Sequence, residues 1–161
     1  MNRFEIDMMV EIPYLSHVKY EYDEKIKSMR CDRVLNTSMS YPGNYGYIPN
    51  TLAGDGDPLD VLLLSDYQIF PGTIIQVKII GVLITEDEKG QDEKVIAVPG
   101  NKVDPVYKEV NDLPDLSEFQ LQKIKHFFEH YKDIEDKKWV TVKDFKNAKE
   151  AFKIYENSII N

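Results

Sequence analysis

Cysteine is nearly missing from this 161-residue chain: Cys31 stands alone, so no intrachain disulfide can brace the fold. Stability has to come from a buried apolar core, and the chain is long enough to supply one. Imidazole is scarce too, with three histidines in all. His126 and His130 in HFFEH have a zinc-compatible i, i+4 spacing, but no third nitrogen or sulfur ligand is evident beside them, so zinc is set aside there and a packing role preferred. No apolar run approaches membrane-spanning length. The opening MNRFEIDMMVEI carries acidic residues where a signal peptide is uninterruptedly apolar. The expectation is a cytoplasmic protein with no membrane partner. Positive charge is in deficit as well: 20 Lys and Arg stand against 28 Asp and Glu, a formal net charge of -8. That balance argues against sequence-independent nucleic-acid binding, which depends on neutralising phosphates. Repeats, low-complexity tracts and linker-like stretches are lacking, so residues 1–161 are read as a single domain.

What is present changes character along the chain. Residues 4–99 look mostly β. HVKYEYD alternates with period two, putting Lys19 and Glu21 on one face and Tyr20 and Tyr22 on the other. TIIQVKIIGVLITEDE is a long β-branched run, and EKVIAVP returns from it across a polar connection, which predicts a hairpin. The last third takes up helical spacing. LSEFQLQKIKHFFEHYKD opens with Ser117 and Gln120 at capping-box spacing, and Phe127 and Phe128 read as core, as does Trp139 beyond it. After a short strand at WVTV, KDFKNAKEAFKIYENSII carries Phe145, Ala148, Phe152, Tyr155 and Ile159 at three-four spacing and predicts a second amphipathic helix. Strands first and helices after suggest a β-barrel or curled sheet with helices packed outside it.

One stretch does not fit a purely structural reading. GDGDPLDVLLL sets Asp55, Asp57 and Asp60 against a run of aliphatic residues. An Asp-Gly turn accounts for the first of these, and Asp57 can be absorbed by the same turn. Asp60 lies between Leu59 and Val61 at the start of a buried strand, where an unpaired carboxylate is costly, so a cation should sit beside it. If the backbone is extended there, Asp55 and Asp57 share a face, and with Asp60 they can converge on one hard cation. An EF-hand is excluded because its sixth loop position needs glycine and here holds Asp60. Asp87 and Asp92 flank the hairpin connection, and Glu11 and Glu21 lie on the first two strands. Lys19, Arg33, Lys94 and Lys132 fall in the same regions, with Tyr131 beside Lys132 and Tyr41, Tyr45 and Tyr47 in YPGNYGY. Lysine and arginine at the rim of a metal site are what phosphoryl oxygens require. Each feature also has a plain reading: a Lys-Glu pair at i, i+2 is ordinarily a solvated strand face, and EDEKGQDEK alone is a charged hairpin tip.

At this point the chain resembles one family, the soluble, magnesium-dependent inorganic pyrophosphatases of the β-barrel type. The resemblance is carried by DGDPLDV, by EIP with KYE downstream, by Asp32-Arg33, YPGNYGYI, QDEKVIAVP, VNDLP, HFFEHYKD and WV, in order over nearly the whole chain. It implies an α+β fold, a mainly antiparallel, OB-like five-stranded β-barrel with two C-terminal helices outside it. It implies hydrolysis of pyrophosphate to two orthophosphates by a metal-activated water. Asp55, Asp60 and Asp92 would bind activating metals, Asp87 would join them when substrate brings more magnesium, and Glu11 and Glu21 would complete the acidic shell through water. Asp57 would be the general base. Lys19, Arg33, Tyr45, Lys94, Tyr131 and Lys132 would hold the phosphoryl groups, with Tyr41 in support. Several magnesium ions would serve one site, with manganese or zinc as substitutes and calcium as an inhibitor. The resemblance is closest to bacterial members and implies a homohexamer, with the helix of His126 and His130 near a subunit contact. Only ten residues precede Glu11, fewer than in typical bacterial relatives. Two other readings stay open: an OB-like module for single-stranded nucleic acid, and a metal-binding relative without catalysis.

Overall fold

The apolar run that reads as half of a hairpin is the strand on which the sheet is assembled. The computed structural model describes residues 4–160. Its strands are β1 (Glu5–Ile12), β2 (Val18–Asp23), β3 (Ser28–Val34), β4 (Asn44–Tyr47), β5 (Asp60–Leu63), β6 (Ile74–Asp87), β7 (Gly90–Pro99) and β8 (Val140–Asn147). The helices are α1 (Glu118–His130) and α2 (Ala148–Ser158). β6 is long enough to have three neighbours. One edge pairs with β7, and the other pairs first with β1 and then, further along, with β8. The order β1-β4-β5-β7-β6 closes through the β1–β6 pairing into a ring of five strands, an OB-like barrel to which β8 is appended. All its pairings are antiparallel except β5 with β7. β2 and β3 form a separate hairpin.

Alternation sorts the barrel residues into two cores. Val61 and Leu63 of β5, Val77 and Ile79 of β6 and Val95 and Ala97 of β7 fill the ring, joined by Met8 and Val10 of β1 and Ala151 of α2. Their neighbours Leu62, Leu83, Ile96 and Val98 point the other way, onto Ile124, Phe127 and Phe128 of α1. β6 and β7 are therefore covered on both faces, which is why their sequences read as unbroken apolar runs. Closure is tight at Gly46, where a Cβ would stand 1.8 Å from the carbonyl oxygen of Met9 on the neighbouring strand, so no other residue fits.

Ser117 caps α1 as its spacing predicts: its hydroxyl accepts from the N–H of Gln120, whose side chain reaches back to the Ser117 N–H. Three expectations need correction. The second helix starts at Ala148 rather than Lys143, because Lys143–Asn147 continue β8 along β6 and Leu83 faces Phe145; Asn147 then caps the helix. Ile159 lies past its end, bridged to Thr51. Trp139 is not core: it ends the turn-rich segment before β8 and is 47 % exposed.

Two buried polar groups hold loops to the barrel. Asn44 accepts at Oδ1 from the N–H groups of Tyr14 and Ile69 and donates from Nδ2 to the Tyr67 carbonyl. Lys78 of β6, with no exposed surface, donates from Nζ to Asn101 and Asn111 Oδ1 at 3.0 Å and to the carbonyls of Tyr107 and Lys108. Burial pushes its pKa down.

Candidate active site

A cleft of about 530 Å³ lies on the face of β5 and β7 that carries Leu62 and Ile96, the face turned toward α1. Its floor is set by β-sheet register. The parallel pairing of β5 with β7 puts Asp60 directly across from Lys94, and alternation along β7 puts Asp92 on the same face. Lys94 Nζ lies 2.8 Å from Asp92 Oδ2 and 3.2 Å from Asp60 Oδ2, and it donates to Tyr45 Oη at 2.7 Å. The same ammonium stands 5.0 Å from the centroid of Phe128 and 5.3 Å from that of Tyr45. The cation that Asp60 requires is thus Lys94. Tyr41 is buried against Tyr45 and Phe127, and Tyr131 stacks on Phe127.

The walls come from other elements. β2 and β3 set Lys19 opposite Arg33, with Asp32 3.4 Å from the first and 3.5 Å from the second. Glu11 on β1 accepts at Oε2 from the Tyr22 N–H at 2.8 Å. Glu21 is exposed on β2. A bulge at Lys19/Tyr20 breaks the strict alternation of that strand, and Tyr20 and Tyr22 border the cleft along with Lys19 and Glu21. Lys132, just past α1, reaches Asp87 at the tip of the β6–β7 hairpin at 3.3 Å and Glu88 at 3.8 Å. Asp55 and Asp57 belong to a turn, not to extended backbone. Gly56 has a φ of +87°, and Asp55 Oδ1 accepts from the Asp57 N–H. They do not share a strand face, yet both line the cleft.

All fourteen side chains singled out in the sequence, from Glu11 to Lys132, therefore border one cavity. They do not meet at one point: among the described residues, no three carboxylate, imidazole or thiol groups close on a single position. Glu24, Glu88, Lys89 and Lys138 also line the cleft, and Glu135 pairs with Arg33 from 102 positions away; no pattern in the sequence marks any of them as site residues.

The electrostatics follow from crowding. Nine carboxylates and six cations line the cleft. Glu11 is pushed up from 4.5 to about 7, chiefly by burial and further by Asp60 and Glu21. Asp60 is pushed up to about 6 by burial and by Asp92, since Lys94 leans toward the latter, and burial also raises Asp55. Lys94 itself is held firmly protonated because Tyr45, Asp60 and Asp92 together outweigh its burial. Burial keeps Tyr41 and Tyr45 neutral. A surplus of oxygen donors whose charge is penalised, with no imidazole or thiol among them, suits hard divalent cations.

The family model described as inorganic pyrophosphatase matches residues 8–161. The inorganic pyrophosphatase of Saccharolobus solfataricus is 53 % identical over 147 residues, covering 91 % of this chain and 86 % of that one. The Nanoarchaeum equitans inorganic pyrophosphatase is 51 % identical over 154 residues, covering 96 % and 95 %. Among solved structures, the Helicobacter pylori inorganic pyrophosphatase superposes with a TM-score of 0.94 at 48 % identity, covering 96 % of this chain and 91 % of that one. The Thermus thermophilus inorganic pyrophosphatase also gives 0.94, at 43 % identity, covering 98 % and 91 %.

Proposed function

Because this chain belongs to the inorganic pyrophosphatase family, we infer that its cleft hydrolyses pyrophosphate to two orthophosphates with Asp57 as the general base. The observation that carries the site assignment is that the fourteen candidate residues, spread over seven elements and their loops, border one cavity. The family implies a metal cofactor, and the oxygen-rich, carboxylate-surplus lining fits one. Asp55, Asp60 and Asp92 would hold the resident ions, with Asp87 added when substrate arrives and Glu11 and Glu21 acting through water. Magnesium is the ion proposed, with manganese or zinc as substitutes and calcium as an inhibitor; when bound, it supplies positive charge and lowers the pKa of a coordinated water.

The chain's own side chains do the rest. Asp57, exposed at the mouth on a turn fixed by Gly56, accepts the proton of the attacking water. Lys19, Arg33, Lys94 and Lys132 donate to the phosphoryl oxygens, and Arg33 offers a planar fork that suits two oxygens at once. As the bridging bond breaks, these donors stabilise charge on the departing phosphate. Tyr45, kept neutral by burial, donates a hydrogen bond without adding charge, and Tyr131 lies beside it. Tyr41 backs Tyr45 from the core.

No helix among the described residues is long and apolar enough to cross a membrane; a cytoplasmic location and a single domain over residues 1–161 are proposed with the enzyme. Orthophosphate release from pyrophosphate with magnesium, abolished by a chelator and restored on readdition, is the expected result. Magnesium binding without phosphate release would instead favour a non-catalytic relative.

A further inference from the structure

The four cations proposed to hold the phosphoryl groups differ in their nearest partners, and that of Lys19 is Asp32. Lys94 sits between Asp60 and Asp92, and Lys132 against Asp87. Those carboxylates belong to the proposed metal set, so bound cations would draw them away and open the two ammonium groups to phosphate, with only the more distant Glu88, 3.8 Å from Lys132, left beside them. Arg33 differs. Its fork faces Glu135, which lies in the segment between α1 and β8 and outside the metal set. The Glu135 side chain is 11 % exposed. Its Oε1 lies 2.9 Å from Arg33 Nε, and its Oε2 accepts from Nη2 at 3.3 Å. The fork is poorly seated, however: Arg33 Nε is buried and makes no aligned hydrogen bond. Lys138, which also lines the cleft, holds Glu135 from the other side at 3.6 Å.

A brace that fixed Arg33 would be expected to form both N–H bonds of the fork, since bidentate geometry is what makes such pairs strong and specific. A half-seated carboxylate beside an unsatisfied buried N–H is instead easily exchanged for a better acceptor. We propose that Glu135 is a positioning residue that acts through Arg33: a resident counter-ion that keeps the guanidinium aimed into the cleft and is displaced by a phosphoryl group, setting how tightly product is held. The proposal rests on Arg33 being a phosphoryl ligand. Since metal does not remove Glu135, only the anion itself can, and the exchange lowers affinity for orthophosphate and so favours its departure.

The test is calorimetric binding of inorganic orthophosphate to the magnesium-loaded protein, which needs no turnover. Glu135→Gln removes the competing charge and should tighten orthophosphate binding about five- to tenfold, with KM for pyrophosphate falling in step and kcat not rising. On an Arg33→Ala background the Glu135→Gln effect should vanish. Unchanged or weakened orthophosphate binding in Glu135→Gln would mean that Glu135 merely braces Arg33, and the proposal fails. If that variant does not fold, Glu135→Asp, which draws the carboxylate back by one methylene, should tighten binding in the same direction by a smaller factor, and no tightening there overturns it equally. A wild-type protein that binds orthophosphate but releases none from pyrophosphate would sink the enzymatic reading while leaving the Glu135 test intact.

Discussion

Asp57 and Asp60 stand three residues apart and are asked for different chemistry. Asp60→Asn keeps an amide oxygen where the carboxylate was, so activity should fall and then recover in part as magnesium is raised. Asp57→Asn cannot take a proton; turnover should drop by about two to four orders of magnitude, with little rescue by magnesium and some by higher pH. Turnover of both variants across magnesium and pH checks the division, and magnesium rescue of Asp57→Asn would refute it. Glu11 makes a stability prediction. A carboxyl whose folded pKa is raised contributes stability below its ordinary 4.5 and loses it as pH climbs through about 7. Asp60 and Asp55 are shifted the same way. The metal-free protein should therefore weaken between about pH 4.5 and 7, by on the order of 3 kcal/mol from Glu11 before solvent screening. Denaturant midpoints in chelator should show the slope, and Glu11→Gln should flatten it; a midpoint that rises over that interval would contradict the assignment. The need for a cation beside Asp60 was legible because a carboxylate inside an apolar strand has few alternatives. The partners of Asn44, Asp32 and Glu135 were not legible: a polar residue at a strand or loop position says nothing about which N–H or cation it will meet.

Among the elements, α1 could be read from its capping box and its apolar stripe, both local properties. The β6–β7 hairpin was legible from its β-branched run and polar turn. The boundary between β8 and α2 was not. Phe145 keeps helical spacing with Ala148 and Phe152, but pairing with β6 holds it in a strand, a tertiary preference that outweighs local periodicity. The actual start is marked by Asn147, whose Oδ1 accepts from the Glu150 N–H at 3.0 Å, while Asp112 Oδ1 accepts from the Ala148 N–H at 3.0 Å. Asn147→Ala should cost about 1 kcal/mol through lost capping. The measurement is a denaturant midpoint at constant m; an unchanged midpoint would show that Asp112 alone secures the helix start.

For the molecule as a whole, closure of the barrel brings residues from opposite ends of the sequence to one cleft, and the period-two pattern announces such a sheet without announcing which strands meet. The homohexamer that the family resemblance implies belongs to this scale. His126 and His130 are exposed on α1 with ring centroids 4.8 Å apart, and Asp133 Oδ2 lies 2.7 Å from His130 Nδ1. Sedimentation should give a hexamer at neutral pH and micromolar concentration. A monomer would refute the assembly. Lys78, finally, makes β6 a chemical clock. Its depressed pKa leaves more of the reactive free amine than a surface lysine has, but with no exposed surface an acylating reagent can reach it only when the molecule opens. Typical opened fractions of about one in a thousand or fewer outweigh any gain in nucleophilicity. Peptide mass mapping after timed acylation should find Lys78 among the last amines modified, its labelling rate rising steeply with denaturant while exposed lysines such as Lys25 keep a nearly constant pace.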